Sequence, residues 1–217
     1  VITDQIIYQF VEGLKATTWH EYLAVFAGIA SVWFSRKEHI LVYPVGLVNT
    51  VTYVYLSAKG HLFGEVAVNV YYTVMSLYGW VQWSKTDATH HAVLPITASD
   101  ARWRFRQILF FLLCYVVLFV SLRYLQKAFF PGAIPWADAL AGAAAFTGMW
   151  LMTHKKVEHW IWWILTNVIS IPLYFVKHYV FSSVYYLILL VMAVFGFMEW
   201  KRRLRQQQVQ LQNPSKS

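Results

Sequence analysis

Asn49, Asn69 and Asn167 each stand deep inside an apolar stretch, and each has aromatic or hydroxylic companions at helical spacing. Thr52 and Tyr53 follow Asn49 by three and four positions. Asn69, Tyr72, Ser76 and Gly79 make a stripe at steps of three and four, with Tyr71 beside it and Trp80, Gln82 and Trp83 at its end; Trp160, Trp163, Asn167, Ser170 and Tyr174 make another. On a helix those steps place side chains on one face. An amide carries a donor and an acceptor and so reads a carboxamide or sugar hydroxyls. Trp and Tyr faces stack a flat ring and attract positive charge by about 0.5 to 2 kcal/mol per contact. Tyr185 and Tyr186 are further wall residues. Packing competes with this reading, because an asparagine in a span can bond a neighbouring helix for about 0.6 kcal/mol. Interfacial enrichment alone accounts for Trp19, Trp103, Trp136 and Trp200. Taken together, the three asparagines favour a polar cavity suited to a flat, uncharged or cationic aromatic solute.

Residues that would support other chemistry are missing from these stretches. Glu21, Glu38, Glu65, Asp138, Glu158 and Glu199 sit at or near span ends, as do His20, His39, His61, His154, His159 and His178. Ionisable groups at mid-membrane mark ion coupling, so their placement disfavours a proton or sodium pump and makes gradient-driven passage the default. Glu65, one turn inside the outer surface, is the exception to watch. No Ser-His-Asp order, paired metal ligands or phosphate loop is present, so neither catalysis nor a bound cofactor or metal is expected. His90-His91 is a pair without further spaced ligands, and Cys114 stands alone, with no disulfide partner in the chain.

The elements that carry these residues are membrane helices. Of 217 residues, 59% are hydrophobic and 13% charged, far from a soluble domain. Seven stretches approach the roughly 20 apolar residues of a span: 20–36, 39–57, 63–83, 106–125, 136–153, 159–177 and 181–200. Twelve Lys and Arg residues flank one side, among them Arg36, Lys155 and Lys201, against Lys15, Lys59, Arg123, Lys127 and Lys177 on the other. The basic side belongs in the cytoplasm, which puts the C-terminus inside and the N-terminus outside. Topology thus accounts for the net charge of +8, and no nucleic-acid partner is needed. Asn49 answers to Asn167 at an offset of 118, and Gly79-Trp80-Val81-Gln82-Trp83 answers to Gly196-Phe197-Met198-Glu199-Trp200 at 117. Two three-helix units about an odd central span are parallel repeats, with their axis along the membrane normal.

The divisions follow: an amphipathic segment over 1–18 carrying Ile6, Ile7, Phe10, Val11 and Leu14; a first unit over 19–85; a polar inner linker and fourth span over 86–134; a second unit over 135–203; and a tail over 204–217. Val1–Lys15 lacks the basic start and cleavage site of a signal peptide. A start at Val1 rather than Met implies that residues are missing or processed. Gly142 with Ala143-Ala144-Ala145 marks close helix packing.

Tyr78-Gly79-Trp80-Val81-Gln82-Trp83, Asn69-Val70-Tyr71-Tyr72 and Trp160-Ile161-Trp162-Trp163-Ile164-Leu165-Thr166-Asn167, in a three-plus-one-plus-three chain, resemble the PnuC family of bacterial nicotinamide riboside transporters. The resemblance spans about residues 19–203. It implies a full-length, SWEET-like all-α membrane fold, a homotrimer in inner-membrane lipid, and facilitated diffusion of a vitamin precursor. A cytoplasmic riboside kinase would then trap the substrate and supply direction. Under it Asn49, Asn69, Gln82 and Asn167 bind carboxamide and ribose, Tyr53, Tyr72, Trp80 and Trp163 enclose the ring, and Pro44 and Pro172 act as hinges. A thiamine or other vitamin carrier of this fold, a SWEET-type sugar carrier and a non-transporting membrane receptor remain the alternatives.

Overall fold

The computed structural model describes residues 2–59, 63–85, 94–129 and 134–212. Its regular elements are all helices: α1 (Ile2–Ala16), α2 (Trp19–Arg36), α3 (Val42–Lys59), α4 (Phe63–Trp83), α5 (Ala101–Phe129), α6 (Pro135–Thr153), α7 (His159–Val176) and α8 (Val180–Gln212). Stretches 101–124, 159–176 and 180–210 are long and apolar enough to cross a membrane by length and composition. The helices α2, α3, α4 and α6 have 18, 18, 21 and 19 residues, about 27 to 32 Å at 1.5 Å per residue. His61 and the pair His90-His91 lie outside the described residues.

Local chemistry sets the helix ends. Thr18 and Glu21 form a reciprocal capping box at the start of α2, which satisfies two N–H groups that the first turn leaves free. Asp100 Oδ1 accepts from Trp103 N at 2.7 Å, and so α5 starts at Ala101, five residues before the expected 106. The basic run Arg102–Arg106 is therefore helical rather than linker. Three tight reversals close without glycine, with Glu38 at φ 59°, Lys155 at 49° and His178 at 64°. In each, the residue at positive φ donates to the carbonyl three back and the next residue to the carbonyl five back, as in Glu38 N to Ser35 O and His39 N to Phe34 O. That is the pairing of a Schellman closure.

The helices pack in chain order within two groups, α2–α3–α4 and α6–α7–α8, and α4 meets α6 while α2 meets α8. Six helices thus form a closed ring, with α5 lying outside against α6 and α1 against α8. Because α6 has three neighbours, it needs small side chains: Ala139, Ala143 and Ala144 are fully buried, and Leu118 of α5 reaches to 3.1 Å from where Gly142 would carry a Cβ. The expected close-packing surface is therefore the one used.

The main apolar core closes one end of the ring. It joins Val42, Tyr43, Trp83, Ile96, Met149, Met152, Val157, Trp160, Ala193 and Trp200. Trp83 Nε1 donates to Met152 O at 3.2 Å and Trp200 Nε1 to Ser35 O at 2.9 Å, so each indole ties its helix to the far group. Residues 94–100, read from sequence as polar linker, are docked here instead. Ile96 is buried, and Thr97 exchanges backbone bonds with the α6–α7 turn at Lys155 O and Val157 N.

Candidate functional site

Above the aromatic plug, α7 presents Trp163, Asn167, Ser170 and Tyr174 at successive turns of one face. Asn167 is 3% and Ser170 2% exposed, and neither side chain has a hydrogen-bond partner among the described residues. Their neighbours do not share this condition: Thr166 donates to Trp162 O at 2.9 Å and Thr147 to Ala143 O at 2.8 Å. Most buried polar groups are paired, so an orphaned amide asks for a ligand or water. Trp163 has room to lie flat because Gly148 faces it, its ring 3.3 Å from where a Cβ would stand.

From α4, Tyr72 brings its ring to 6.4 Å from Trp163 and 5.8 Å, edge-on, from Phe146. Tyr71 crosses to α6, where its hydroxyl donates to Phe146 O at 2.9 Å. Ser76, one turn below Tyr72, is buried. Asn69 donates its amide N–H to Glu65 O at 2.9 Å, which leaves its carbonyl oxygen without a partner among the described residues. On α8, Tyr186 stacks 5.0 Å from Tyr174 and 5.7 Å from Tyr185. Rings from α4, α7 and α8 thus line one wall.

A second cluster, joined to the first through Tyr185, forms where α2, α3 and α8 converge at Gly28. A Cβ there would stand 2.5 Å from the Tyr185 hydroxyl and 3.1 Å from Asn49 Nδ2, so only glycine admits both. Asn49 donates to Ala24 O at 2.6 Å and holds its helix to α2. Tyr53 lies one turn further along α3 on the same face.

Two expected residues are not in this group. Trp80 is 38% exposed and lines a shallow outer groove with Leu77, Val81, Ser84 and Lys85. Gln82 pairs with the Tyr78 hydroxyl at 2.7 Å and with Lys85 Nζ at 2.6 Å, on the exterior. The inward stripe of α4 passes through Tyr72, Ser76, Gly79 and Trp83, roughly 100° per residue away from Trp80. Pro44 is also not interior: it is the third residue of α3, where a helix lacks internal partners for its N–H groups anyway. Pro172 is inside α7 and does remove a backbone bond. Phe146, which the sequence did not single out, is an ordinary apolar residue in an alanine-rich helix, and no local signal marks it.

Charge is confined to the ends. Lys177 Nζ binds Asp138 at 2.7 and 2.8 Å, Lys155 Nζ binds Glu38 at 2.8 Å, and Ser57 donates to Glu65 at 3.1 Å. No group of three metal-ligating side chains occurs among the described residues. Among the described residues named above, those between these ends are neutral amides, hydroxyls and rings, which can bind a flat polar solute.

The family described as nicotinamide mononucleotide transporter matches residues 18–202. The nicotinamide riboside transporter PnuC of Escherichia coli (strain K12) is 24% identical over 209 residues, covering 87% of each chain. The riboflavin/roseoflavin transporter RibM of Streptomyces davaonensis is 25% identical over 190 residues, covering 86% of each. The crystal structure of the vitamin B3 transporter PnuC shares the fold, with a TM-score of 0.70 over 93% of this chain and 88% of that one at 22% identity.

Proposed function

Because this chain belongs to the nicotinamide mononucleotide (PnuC) family of membrane transporters, we propose that it imports nicotinamide riboside across the bacterial cytoplasmic membrane by facilitated diffusion. The observation that carries this is the Asn167 amide, buried without a protein partner one turn from Trp163 and the Tyr72 ring. A carboxamide or ribose hydroxyl satisfies that amide, and a cationic pyridinium ring sits between the aromatic faces. Asn49, Asn69 and Asn167 bind the polar groups, with Ser170 beside them, while Tyr53, Tyr72 and Trp163 enclose the ring. Trp80 and Gln82 fall outside this set because they lie on the exterior.

The ring of six helices supports a span count of seven, in two parallel units over 19–85 and 135–203 joined by the linker and α5 within 86–134. Residues 1–18 form an outer segment and 204–217 a cytoplasmic tail. The excess of Lys and Arg at one end favours a cytoplasmic C-terminus and an outer N-terminus. The confinement of charge to the ends supports uncoupled passage; phosphorylation of the riboside by a cytoplasmic kinase gives the flux its direction. A homotrimer in lipid is the assembly that the family resemblance implies.

The likeness to RibM favours one second reading, a riboflavin carrier of the same fold. Calorimetry on the purified protein separates them. Nicotinamide riboside is expected to bind at micromolar concentration, and riboflavin, thiamine and glucose to give no heat. Heat from riboflavin alone would transfer the assignment to that vitamin.

A further inference from the structure

We propose that Ser35, Glu38 and Trp83, together with Met152, Lys155 and Trp200, form the gate that seals the basic end of the ring during transport. The inference rests on the transporter reading above and adds the residues that must part. Each of the first three residues touches the one 117 positions later. Ser35 Oγ lies 3.5 Å from Met152 Sδ, Glu38 Oε1 2.8 Å from Lys155 Nζ, and the Trp83 and Trp200 rings 6.0 Å apart. A residue that meets its own counterpart from the other unit lies on the axis relating the two, and the axis is where the pathway runs. The three pairs therefore plug the lumen directly rather than packing its wall.

Several features separate this plug from a permanent core. Tyr43 Oη, Trp160 Nε1 and His159 Nε2 are buried in and beside it without hydrogen-bond partners, whereas settled interiors pair such groups. Parting the two halves would admit water to all three. The bonds across the axis are few: each indole N–H holds the carbonyl of the opposite turn, Glu38 pairs with Lys155, whose Nζ lies 4.7 Å over the Trp83 ring, and Arg203 of α8 reaches Lys37 O at 3.2 Å and Glu38 at 3.4 Å. The α6–α7 turn is also braced on its own side: Thr97 holds Lys155 O, Val157 N and Lys156 Nζ, and Glu158 accepts from Ser99. A turn fixed in this way swings with its bundle as a lever, so separation occurs at the axis.

The test uses a reporter that needs no substrate. With Cys114 exchanged for Ala, Ser170→Cys is placed in the lumen of the reconstituted protein. A charged, membrane-impermeant methanethiosulfonate is then applied to either face of the vesicles. Adding Ser35→Cys and Met152→Cys and oxidising is expected to link the two turns, confirmed by peptide mass, and to slow labelling from the basic face at least tenfold while labelling from the other face persists. Reduction should restore entry from both. Failure of the two positions to link, or equal labelling from both faces of the linked protein, would overturn the gate. Glu38→Gln and Lys155→Gln, free of any cross-link, should each speed labelling from the basic face. Unchanged rates in both single variants would equally refute the proposal. If labelling behaves as expected while nicotinamide riboside fails to bind, the substrate assignment falls and the gate stands.

Discussion

The burial of Asn167 without a partner gives its substitution a definite sign. Asn167→Leu removes an amide that makes no hydrogen bond to the protein among the described residues, so the apoprotein loses no internal bond and should express and assemble as before. Substrate, however, would leave water for a site that no longer pairs its polar group, at a cost of about 1 to 3 kcal/mol. Uptake of labelled nicotinamide riboside should accordingly fall about tenfold or more, a factor of ten being about 1.4 kcal/mol, with calorimetric affinity falling alongside. Unchanged uptake would move the site elsewhere. Trp80→Leu is the matched control: it alters an exposed ring on the outer groove, and affinity should stay within about twofold. The contrast marks how far side-chain pattern could be read. The inward position of Asn167 is legible because it continues the Trp160–Trp163 face of α7, and it is buried there. Trp80 and Gln82 were misplaced because a stripe at steps of three and four drifts around the helix, and only packing shows where its inward face ends.

Helix boundaries follow from the same local rules, and the expected spans agree with the observed helices to within a few residues except at α5 and at the end of α8, which runs to Gln212 rather than 200. At α5 the Asp100 cap extends the helix through a basic run that hydropathy reads as loop. Contacts between helices were less legible, because they depend on which glycine faces which ring. Gly79 and Gly196 show the point: a Cβ would come within 2.4 Å of the Tyr43 ring at the first and 2.5 Å of the Trp160 ring at the second. Both rings are buried at 1% exposure and have nowhere to move. Gly79→Ala and Gly196→Ala should therefore each destabilise the protein by about 1 to 3 kcal/mol through overpacking. The drop would be read as a lower midpoint in thermal unfolding of the detergent-solubilised protein. A midpoint equal to the parent's would mean that α3 and α4, or α7 and α8, can slide apart at no expense.

For the molecule as a whole, the distribution of charge decides the energetics of transport. Its carboxylates stand at the ring's ends: Asp138 is held by Lys177 and Glu38 by Lys155, and Glu65 takes a hydroxyl from Ser57 near the opposite end from the plug. Between the ends the lining is amide, hydroxyl and aromatic. A coupled carrier must bind its ion and its substrate in one compartment and release both, which needs a titratable or cation-coordinating group in the translocated volume. Lacking one there, the protein should equilibrate its substrate and do no more. In sealed vesicles, uptake should reach the same internal concentration with or without a protonophore or a sodium gradient. Internal unlabelled nicotinamide riboside should accelerate entry of labelled riboside by exchange. With the membrane potential clamped at zero, accumulation above the external concentration, abolished by the protonophore, would assign coupling to Glu65, and Glu65→Gln would then have to remove it. Net import under the uncoupled scheme follows from consumption of the riboside inside and, because the riboside is a cation, from an inside-negative potential worth about 2.3 kcal/mol per 100 mV.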